Sequence, residues 1–329
     1  MKRIVVAGGA GYIGSILTEE LVAQGHQVIV LDNLKQGHRA AVAPEAIFIQ
    51  ADIGDRETLE DVFRHHRVEA VMHLAADTSV ECSMAEPGTF FWNNVACGIN
   101  LLECMLKGGV KKLVFSSSAA VYGQPKEVTI TEAAPFSPIN AYGESKAMFE
   151  RILHWYGQAY GFRSVSLRYF NVAGASKRFG EDHHPETKLI PNIIKVALGQ
   201  QEYIPIFGTD YDTQDGTCVR DYIHVLDIAR AHILALNYLE GNAGSKAYNL
   251  GNGEGHSVIE VIETARRITG ATIPVKVYPR RPGDPAKLVA SSKLAEVEIG
   301  WKPEYPELES IIESAWDWQK EHPRGYDST

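Results

Sequence analysis

Residues 4–14 read Ile-Val-Val-Ala-Gly-Gly-Ala-Gly-Tyr-Ile-Gly, and this stretch decides the predicted fold. A short apolar run leads directly into glycines at the spacing Gly8-x-x-Gly11-x-x-Gly14, and an apolar segment suited to a helix follows. Glycines at this spacing permit a tight turn and a close approach of the backbone to a pyrophosphate. The N–H groups and the dipole at the start of the helix then hold the anion. The stretch therefore predicts a strand, a phosphate-binding loop and a helix.

An acidic residue, Asp32, ends the second apolar run of the chain. It lies eighteen positions after Gly14, where the carboxylate that binds the ribose of a dinucleotide is found. A carboxylate accepts a hydrogen bond from the 2′-hydroxyl and repels a 2′-phosphate, so Asp32 favours NAD over NADP, although Lys35 and Arg39 lie nearby. Asp52-Ile53 follows the third apolar run and suits the adenine edge, with a simple strand-ending turn as an equal alternative.

Apolar and amphipathic segments alternate through the first half of the chain. The apolar runs predicted as buried strands are residues 4–7, 27–31, 46–50, 70–74, 113–116 and 164–167. The segments predicted as helices are residues 13–23, 57–66, 89–106 and 141–160. Continuous apolar strands that alternate with helices are typical of a parallel sheet covered on both faces. We therefore predict an α/β fold with a doubly wound, Rossmann-type parallel sheet.

The pattern changes after about residue 170. Residues 172–218 are rich in Gly, Pro, His and Asp, and later segments return to strand and helix patterns. We predict a Rossmann domain that binds NAD, made of residues 1–170 with 219–247. Residues 171–218 with 248–329 are predicted to form a smaller α/β cap domain that binds the substrate.

Composition excludes several classes of protein. A formal net charge of -9 argues against nucleic-acid binding, because affinity for phosphate backbones needs clustered Lys and Arg. No run of eighteen apolar residues is present, so no membrane span is predicted. The four cysteines form no C-x-x-C pair, and the N-terminus lacks the pattern of a signal peptide. These features predict a cytoplasmic protein.

Two Tyr-x-x-x-Lys spacings occur, and their surroundings separate them. The first, residues 122–126, contains Gly123 and Pro125, which a helix interior does not tolerate. The second, Tyr142 and Lys146, opens a good helix in which positions i and i+4 share one face. A nearby ammonium favours the phenolate form of a tyrosine. To act as a base near neutral pH, the phenol must lose about three units from its ordinary pKa.

Three serines, Ser116, Ser117 and Ser118, end the fifth predicted strand. Ligands bind at the carboxyl edge of such sheets, and a hydroxyl there can relay the proton of a substrate alcohol. A polar turn is the simpler interpretation of a serine triplet taken alone. The glycine loop and the Tyr142/Lys146 pair favour the functional interpretation.

Together, these features resemble the extended short-chain dehydrogenase/reductases. Further segments narrow the resemblance to the UDP-glucose 4-epimerase family, from residue 3 to about residue 326. Those segments are residues 32–34, 73–76, 93–95, 121–123, 168–171, 215–217, 219–225, 248–251 and 281–284.

The resemblance implies a mechanism and a cofactor. Tyr142 would take the proton from O4 of the sugar while C4 gives its hydride to NAD, and Ser118 would bridge the two oxygens. Lys146 would bind the nicotinamide ribose and lower the pKa of Tyr142. The 4-keto sugar would then turn within the pocket and regain the hydride on its opposite face. The reaction would interconvert UDP-galactose and UDP-glucose, with NAD retained between turnovers and no metal required.

The resemblance also implies the binding residues. The residues expected to bind NAD are Gly8, Gly11, Tyr12, Ile13, Gly14, Asp32, Asn33, Asp52, Ile53, Leu74, Ala75, Ala76, Asn94, Ser116, Tyr142, Lys146 and Phe170. The residues expected to bind the UDP-sugar are Ser118, Tyr142, Asn171, Lys188, Leu189, Phe207, Arg220, Tyr222, Arg281 and Asp284. Two long helices pair across a dimer in this family, so a homodimer is expected by analogy.

Two departures from the family pattern concern the sugar. Lys188 stands where Asn or His is common, and Leu288 stands where a Tyr or a smaller residue is found. They leave open a 4-epimerase for UDP-N-acetylhexosamine, UDP-uronate or UDP-pentose. A 4,6-dehydratase needs an Asp-Glu pair after the serine, whereas this chain has Ala119-Ala120. An NAD-binding sensor without catalysis would not need Tyr142.

Overall fold

The computed structural model describes residues 1–125, 127, 129–241, 244–281 and 284–328. The strands in chain order are β1 (Arg3–Ala7), β2 (Gln27–Asp32), β3 (Ile47–Gln50), β4 (Ala70–His73), β5 (Lys112–Ser118), β6 (Thr129–Ile130), β7 (Arg163–Tyr169), β8 (Asn171–Ala173), β9 (Ile204–Phe207), β10 (Val219–Arg220), β11 (Tyr222–His224), β12 (Lys246–Leu250), β13 (His256–Ser257), β14 (Val275–Tyr278) and β15 (Lys287–Ala290).

Helices lie between most of these strands. The α-helices are α1 (Tyr12–Ala23), α2 (Arg56–His65), α3 (Val80–Ala85), α4 (Pro87–Phe91), α5 (Cys97–Lys107), α6 (Ala141–Tyr160), α7 (Leu189–Ala197), α8 (Val225–Gly241), α9 (Val258–Thr269), α10 (Lys293–Ile299) and α11 (Leu308–Glu321). Shorter 3₁₀ helices span Arg39–Ala41, Ala119–Tyr122 and Gly325–Ser328, and a π-helical turn spans Trp92–Ala96. No helix of the described residues is both long and apolar enough to cross a membrane.

A seven-stranded parallel sheet forms the centre of the molecule, in the order β12-β7-β5-β4-β1-β2-β3. Alternate side chains of each strand point to opposite faces. Ile4 and Val6 of β1 pack into one core cluster with residues of α1 and α8. Val5 and Ala7 pack into a second cluster with residues of α2, α5 and α6. The predicted doubly wound α/β fold is therefore confirmed.

The long helix predicted over residues 89–106 is interrupted in the structure. It consists of α4, the π turn and α5. Single π turns inside helices are frequent at functional sites. Here the turn carries Asn94, whose amide donates to Ser145 of α6 at 3.0 Å and to the backbone oxygen of Asp77 at 2.9 Å.

Smaller sheets and three helices form the rest of the molecule. One sheet has the order β13-β10-β15-β6, and two parallel pairs join β8 with β11 and β9 with β14. Helices α7, α9 and α11 pack around a shared apolar cluster. The division into NAD-binding and cap domains stays a prediction. Its boundary at residues 247 and 248 falls inside β12, an edge strand of the central sheet.

Candidate active site

The glycine loop between β1 and α1 is shaped by close packing at two of its glycines. Gly8 has a φ of 85°, and a Cβ there would lie 2.5 Å from the backbone nitrogen of Ala75. A Cβ on Gly14 would lie 2.1 Å from the carbonyl oxygen of Gly8. Real Cβ atoms do not approach other atoms this closely. The protein's own backbone therefore requires glycine at both positions.

Gly11 differs, because the fold itself does not require a glycine there. Its φ of -81° suits any residue, and a Cβ would meet one atom within 4 Å, the Gly8 oxygen at 3.5 Å. Gly11 is the N-cap of α1 and supplies no side-chain cap. The bare helix terminus is accessible to an anion, and a pyrophosphate that approaches it explains the missing side chain. The loop fits the predicted dinucleotide.

Replacing Gly11 by Ala is expected to weaken NAD binding by about tenfold, or ~1.4 kcal/mol, without unfolding the protein. The new methyl group would point to the pyrophosphate and not to the fold. The measurement is the Kd of stripped protein for NAD by titration calorimetry, together with its thermal unfolding midpoint. Gly88→Ala is the matched control, because a Cβ on Gly88 meets no atom within 4 Å. Equal NAD affinity in the two variants would contradict a pyrophosphate at this loop.

The residues predicted for the ribose and the adenine lie together beyond the loop. The two carboxylate oxygens of Asp32 accept from the backbone N–H groups of Ala10 at 3.0 Å and Leu34 at 2.9 Å. Burial raises the pKa of Asp32, and these backbone donors oppose the rise. The amide of Asn33 donates to Asp52 at 2.6 Å. The Asp32 carboxylate is therefore hydrogen-bonded to the glycine loop through Ala10. Asn33 and Asp52, predicted for the adenine side, are hydrogen-bonded to each other.

Other residues predicted for NAD lie around the end of β1. The N–H groups of Leu74 and Ala75 both donate to the Ala7 oxygen at 2.8 Å. The hydroxyl of Tyr12 donates to the Gly174 oxygen at 2.6 Å, so its side chain is engaged within the protein. The remaining predicted positions are Ile13 in α1, Ile53 after β3, Ala76 after β4 and Phe170 after β7.

The first turns of α6 carry Tyr142 and Lys146. Asn140 caps this helix by accepting from the Gly143 N–H at 2.7 Å. The Lys146 ammonium donates to the Ser116 carbonyl oxygen at 2.9 Å and lies 5.9 Å from the centre of the Tyr142 ring. Burial lowers the pKa of Lys146 to about 7. The structure thus brings the predicted tyrosine, lysine and serine strand together.

Ser118 lies beside Tyr142 at the carboxyl edge of the sheet, where its hydroxyl favours ionisation of the phenol. The Ser118 oxygen already accepts from the Ala120 N–H at 3.1 Å, so its own proton is available for donation to Tyr142. Burial raises the pKa of Tyr142, and the Ser118 hydroxyl and the Lys188 ammonium oppose that rise. The prediction that Lys146 lowers this pKa stays a prediction.

The other Tyr-x-x-x-Lys tyrosine, Tyr122, belongs to the core. It is 1% exposed, accepts from Arg168 at 2.7 Å and donates to the Asn249 amide oxygen at 2.7 Å. Lys126 lies outside the described residues. Tyr122 therefore has a structural role, in agreement with the sequence argument.

Strand pairing leads from the catalytic side chains toward the predicted sugar site. Ser118 is paired with Tyr169 in the sheet, and Asn171, two residues later, is paired with Tyr222 of β11. Among the described residues, the buried Nδ2 of Asn171 has no hydrogen-bond partner. A buried amide donor without a partner costs stability unless a ligand accepts from it. Asn171 therefore fits a polar ligand beside Ser118.

The residues predicted to contact the diphosphate and the base of the substrate form a second group. Arg220 of β10 is ion-paired with Asp284, and the Arg281 guanidinium lies 3.9 Å from the centre of the Phe207 ring. Pro282 and Gly283, which belong to the same sequence motif, lie outside the described residues.

Comparison with known proteins decides the family. The model of the NAD dependent epimerase/dehydratase family matches residues 4–251, three quarters of the chain. The chain belongs to this family. The NAD dependence of the family confirms the predicted cofactor.

Individual relatives show which enzymes of the family this epimerase resembles. It is 51% identical to the UDP-glucose 4-epimerase of Halalkalibacterium halodurans over 98% of this chain and 97% of the relative. A crystal structure of a UDP-glucose 4-epimerase superimposes with a TM-score of 0.97 at 49% identity, covering 98% of this chain and 99% of the other. A crystal structure of the Bifidobacterium longum UDP-glucose 4-epimerase in complex with NAD+ and UDP superimposes with a TM-score of 0.94 at 39% identity. It covers 98% of this chain and 99% of the other. The predicted relationship to the UDP-glucose 4-epimerases and the isomerase class are confirmed.

Two carboxylates of the epimerase site were missed by sequence reasoning. Glu150 lies one turn after Lys146 on the same face of α6 and is ion-paired with Arg168 at 2.7 Å. Its position four residues after Lys146 is a signal that the sequence does contain. Glu181 accepts from the ammonium of Lys188. No spacing in the sequence indicates that second contact.

The remaining residues predicted for the sugar lie at the border of this region. Leu189 is the first residue of α7, directly after Lys188. Leu288 of β15 packs against the cluster that contains Tyr122.

One group of possible metal ligands in the epimerase consists of Glu181, His183 and Glu186, which lie close enough to share an ion. The Lys188 ammonium, however, contacts Glu181 and lies 3.4 Å from His183. We therefore propose no metal at this cluster.

Proposed function

We propose that this epimerase interconverts UDP-galactose and UDP-glucose by transient oxidation at C4 of the sugar, with NAD retained between turnovers. The placement of Tyr142 beside Ser118, with the Lys146 ammonium 5.9 Å from the centre of the Tyr142 ring, carries the proposal. A phenol with a hydroxyl partner at the carboxyl edge of a dinucleotide-binding sheet suits removal of a proton from an alcohol. The names of the relatives support the sugar nucleotides.

The chain's own residues handle the proton. The Tyr142 oxygen accepts the proton of the sugar O4 and later returns it to the same oxygen on the other epimer. Ser118 donates a hydrogen bond that stabilises the phenolate before the proton arrives. NAD, when bound, supplies the acceptor and donor of the hydride at C4. Because burial raises the pKa of Tyr142, the phenolate needs positive charge around it, and Lys146 supplies part of that charge in its protonated form.

The arginines hold the anionic part of the substrate in this proposal. Guanidinium groups suit the paired oxygens of a diphosphate. Arg220 is already oriented by Asp284, and Arg281 is stacked on Phe207. Asn171 would donate its unpaired amide proton to the sugar nucleotide. These contacts bind the nucleotide portion and leave the hexose free to present either face.

The test is an assay of purified protein with UDP-galactose and no added NAD, in which UDP-glucose formation is followed. Parallel reactions contain UDP-N-acetylgalactosamine, a UDP-uronate and a UDP-pentose. Conversion of UDP-galactose supports the proposal, and faster conversion of another substrate would reassign the sugar. Bound NAD without turnover of any of them, even with NAD supplied, would favour the sensor.

A homodimer is part of the same proposal. Met84 of α3, Trp92 of the π turn and Trp155 of α6 are 63%, 66% and 68% exposed. Helix α6 packs against α3 and against the π turn, so these side chains lie on neighbouring elements. Large apolar side chains exposed together mark protein interfaces. A second copy of the chain, paired through α5 and α6, would cover them.

Replacing Trp155 by Glu is expected to convert the dimer to a monomer, because a charge would be buried in an apolar interface. Size-exclusion chromatography with light scattering measures the mass, which should fall by half. Val297→Glu is the control, because Val297 on α10 is 74% exposed and lies outside the proposed interface. A monomeric wild-type protein would refute the homodimer.

Location in the cytoplasm is also proposed. All four cysteines, Cys82, Cys97, Cys104 and Cys218, are free thiols in the structure. Free thiols suit a reducing compartment.

A further inference from the structure

Asp221 lies where the chain passes from one small sheet to another. Arg220, the residue before it, pairs with Leu288 of β15. Tyr222, the residue after it, pairs with Asn171 of β8. The backbone N–H of Asp221 donates to the Leu288 oxygen at 3.2 Å, and its carbonyl oxygen accepts from the Asn171 N–H at 3.0 Å. Two residues predicted to bind the substrate, Arg220 and Tyr222, are therefore joined through this one residue.

The side chain of Asp221 is completely buried, with 0% of the residue exposed. Its Oδ1 accepts from the backbone N–H of Asn252 at 2.7 Å. Its Oδ2 accepts from the backbone N–H groups of Gly253 at 3.1 Å and Ala290 at 3.0 Å. Gly251 packs so closely that a Cβ there would lie 2.5 Å from Oδ2. Hydrogen bonds to a carboxylate are strong, so Asp221 fixes the loop of residues 251–253 and the end of β15.

The loop that Asp221 holds also contacts the backbone of Tyr222. The side-chain amide of Asn252 donates to the Tyr222 carbonyl oxygen at 2.6 Å and to the Pro306 oxygen at 3.0 Å. Tyr222 is therefore held on one side by its bond to Asp221 and on the other by Asn252, which the Asp221 carboxylate holds in turn.

The same carboxylate holds the strand that pairs with Arg220. Ala290, which donates to it, ends β15 two residues after Leu288, the partner of Arg220 in the sheet. The Arg220 guanidinium is ion-paired with Asp284, which lies three residues before β15 begins. The placement of β15 therefore affects both the backbone and the side chain of Arg220.

We propose that Asp221 is a positioning residue for the nucleotide part of the substrate, because it fixes Arg220 and Tyr222 relative to each other. The inference rests on the proposed function, in which these two side chains bind the UDP portion. Because Asp221 is completely buried, it acts through its neighbours and not by contact with the ligand. Burial raises the pKa of Asp221 to about 6, so its carboxylate is ionised at pH 8.

The test measures two properties of the NAD-loaded protein at pH 8. They are the Kd for UDP, by titration calorimetry, and the kcat and KM for UDP-galactose. Asp221→Asn places an amide NH₂ against a backbone N–H, so at least one of the three donors loses its acceptor. We expect the Kd and the KM to rise about tenfold, with kcat and bound NAD unchanged.

Asp227→Asn is the matched control. Asp227 is also 0% exposed, and it also accepts from backbone N–H groups, those of Glu304 at 2.8 Å and Tyr305 at 3.0 Å. These donors lie in a segment where no residue is predicted to bind the substrate. Asp227→Asn should lower the thermal unfolding midpoint as Asp221→Asn does, and it should keep the wild-type Kd and KM.

Asn252→Ala provides a second test, which also serves if Asp221→Asn does not fold. It removes the amide that is bonded to the Tyr222 carbonyl oxygen and leaves the three backbone donors of Asp221 in place. The Kd for UDP is expected to rise about threefold. An unchanged Kd would contradict the proposal.

The outcomes separate the role of Asp221 from the proposed function. A wild-type protein that binds UDP but does not convert UDP-galactose, with weaker UDP binding in Asp221→Asn and not in Asp227→Asn, would refute the proposed function and keep the role of Asp221. Wild-type Kd and KM in Asp221→Asn, or equally weakened UDP binding in Asp227→Asn, would refute that role. A fall in kcat without a change in the Kd for UDP would also refute it. A wild-type protein that neither binds UDP nor converts UDP-galactose would refute both.

Discussion

Tyr142→Phe is expected to lower kcat for the conversion of UDP-galactose to UDP-glucose by about 10³-fold, or ~4 kcal/mol in barrier height. The substitution removes the one oxygen that accepts the O4 proton and leaves the ring in place. Because the ring keeps its packing, little stability should be lost. The measurements are kcat, bound NAD per chain and the thermal unfolding midpoint, and the last two should match those of the wild type.

Tyr160→Phe provides the matched control for this prediction. Tyr160 is the last residue of the same helix, and 45% of it is exposed. Loss of its hydroxyl should leave kcat unchanged. If Tyr142→Phe retained kcat within tenfold of the wild type, another group would have to take the proton, and the proposed mechanism would be wrong.

The central sheet and α6 could be predicted because their signals are local. Strand β1, the glycine loop and α1 follow each other within twenty-three residues. Helix α6 begins and ends at the predicted residues, since Asn140 caps its start and Gly161 ends it with a φ of 70°. Buried parallel strands are recognisable from continuous apolar runs. These features need no knowledge of the rest of the chain.

The smaller sheets could not be predicted in the same way. The sheet of β13, β10, β15 and β6 joins strands of two to four residues that are far apart in the chain. Strands this short show no periodicity. The π turn was missed because a regular helix and a helix with one inserted residue have nearly the same apolar pattern.

The active site shows the same division between local and distant signals. Tyr142 and Lys146 were identified from a spacing of four within one helix. The contact between the Lys146 ammonium and the Ser116 carbonyl oxygen joins residues thirty positions apart and depends on how α6 packs on β5. The resemblance placed Lys188 at the sugar, and only the structure shows its ammonium bonded to Glu181.

A buried ion pair lies next to the catalytic residues and stabilises their positions. Glu150 and Arg168 have side chains that are each 7% exposed, and three hydrogen bonds, at 2.7, 3.0 and 3.3 Å, join the guanidinium to the carboxylate. Ser117 donates to the same carboxylate at 2.5 Å. The guanidinium also lies near the rings of Tyr122 and Phe136, 5.3 and 4.7 Å from their centres. Glu150 thus fixes the serine strand against α6.

Replacing Glu150 by Gln is expected to lower the free energy of unfolding by about 3 to 5 kcal/mol, because it leaves the Arg168 guanidinium buried without a countercharge. Urea denaturation of the NAD-loaded protein measures the change. Glu144→Gln is the control on the same helix. Its partner Arg151 is 3.4 Å away and both side chains are well exposed, so the loss should stay below about 1 kcal/mol.

The double variant Glu150→Gln with Arg168→Met separates the cost of the uncompensated charge from the cost of the lost hydrogen bonds. Removal of both charges takes away the uncompensated cation, and the double variant should be more stable than Glu150→Gln alone. A double variant that is less stable than either single variant would show that hydrogen bonds to Ser117 and Tyr122 dominate instead of charge.

Glu150 also supports the protonated form of Lys146. Its loss should therefore lower the fraction of charged Lys146 at neutral pH, so that activity falls even where the protein stays folded.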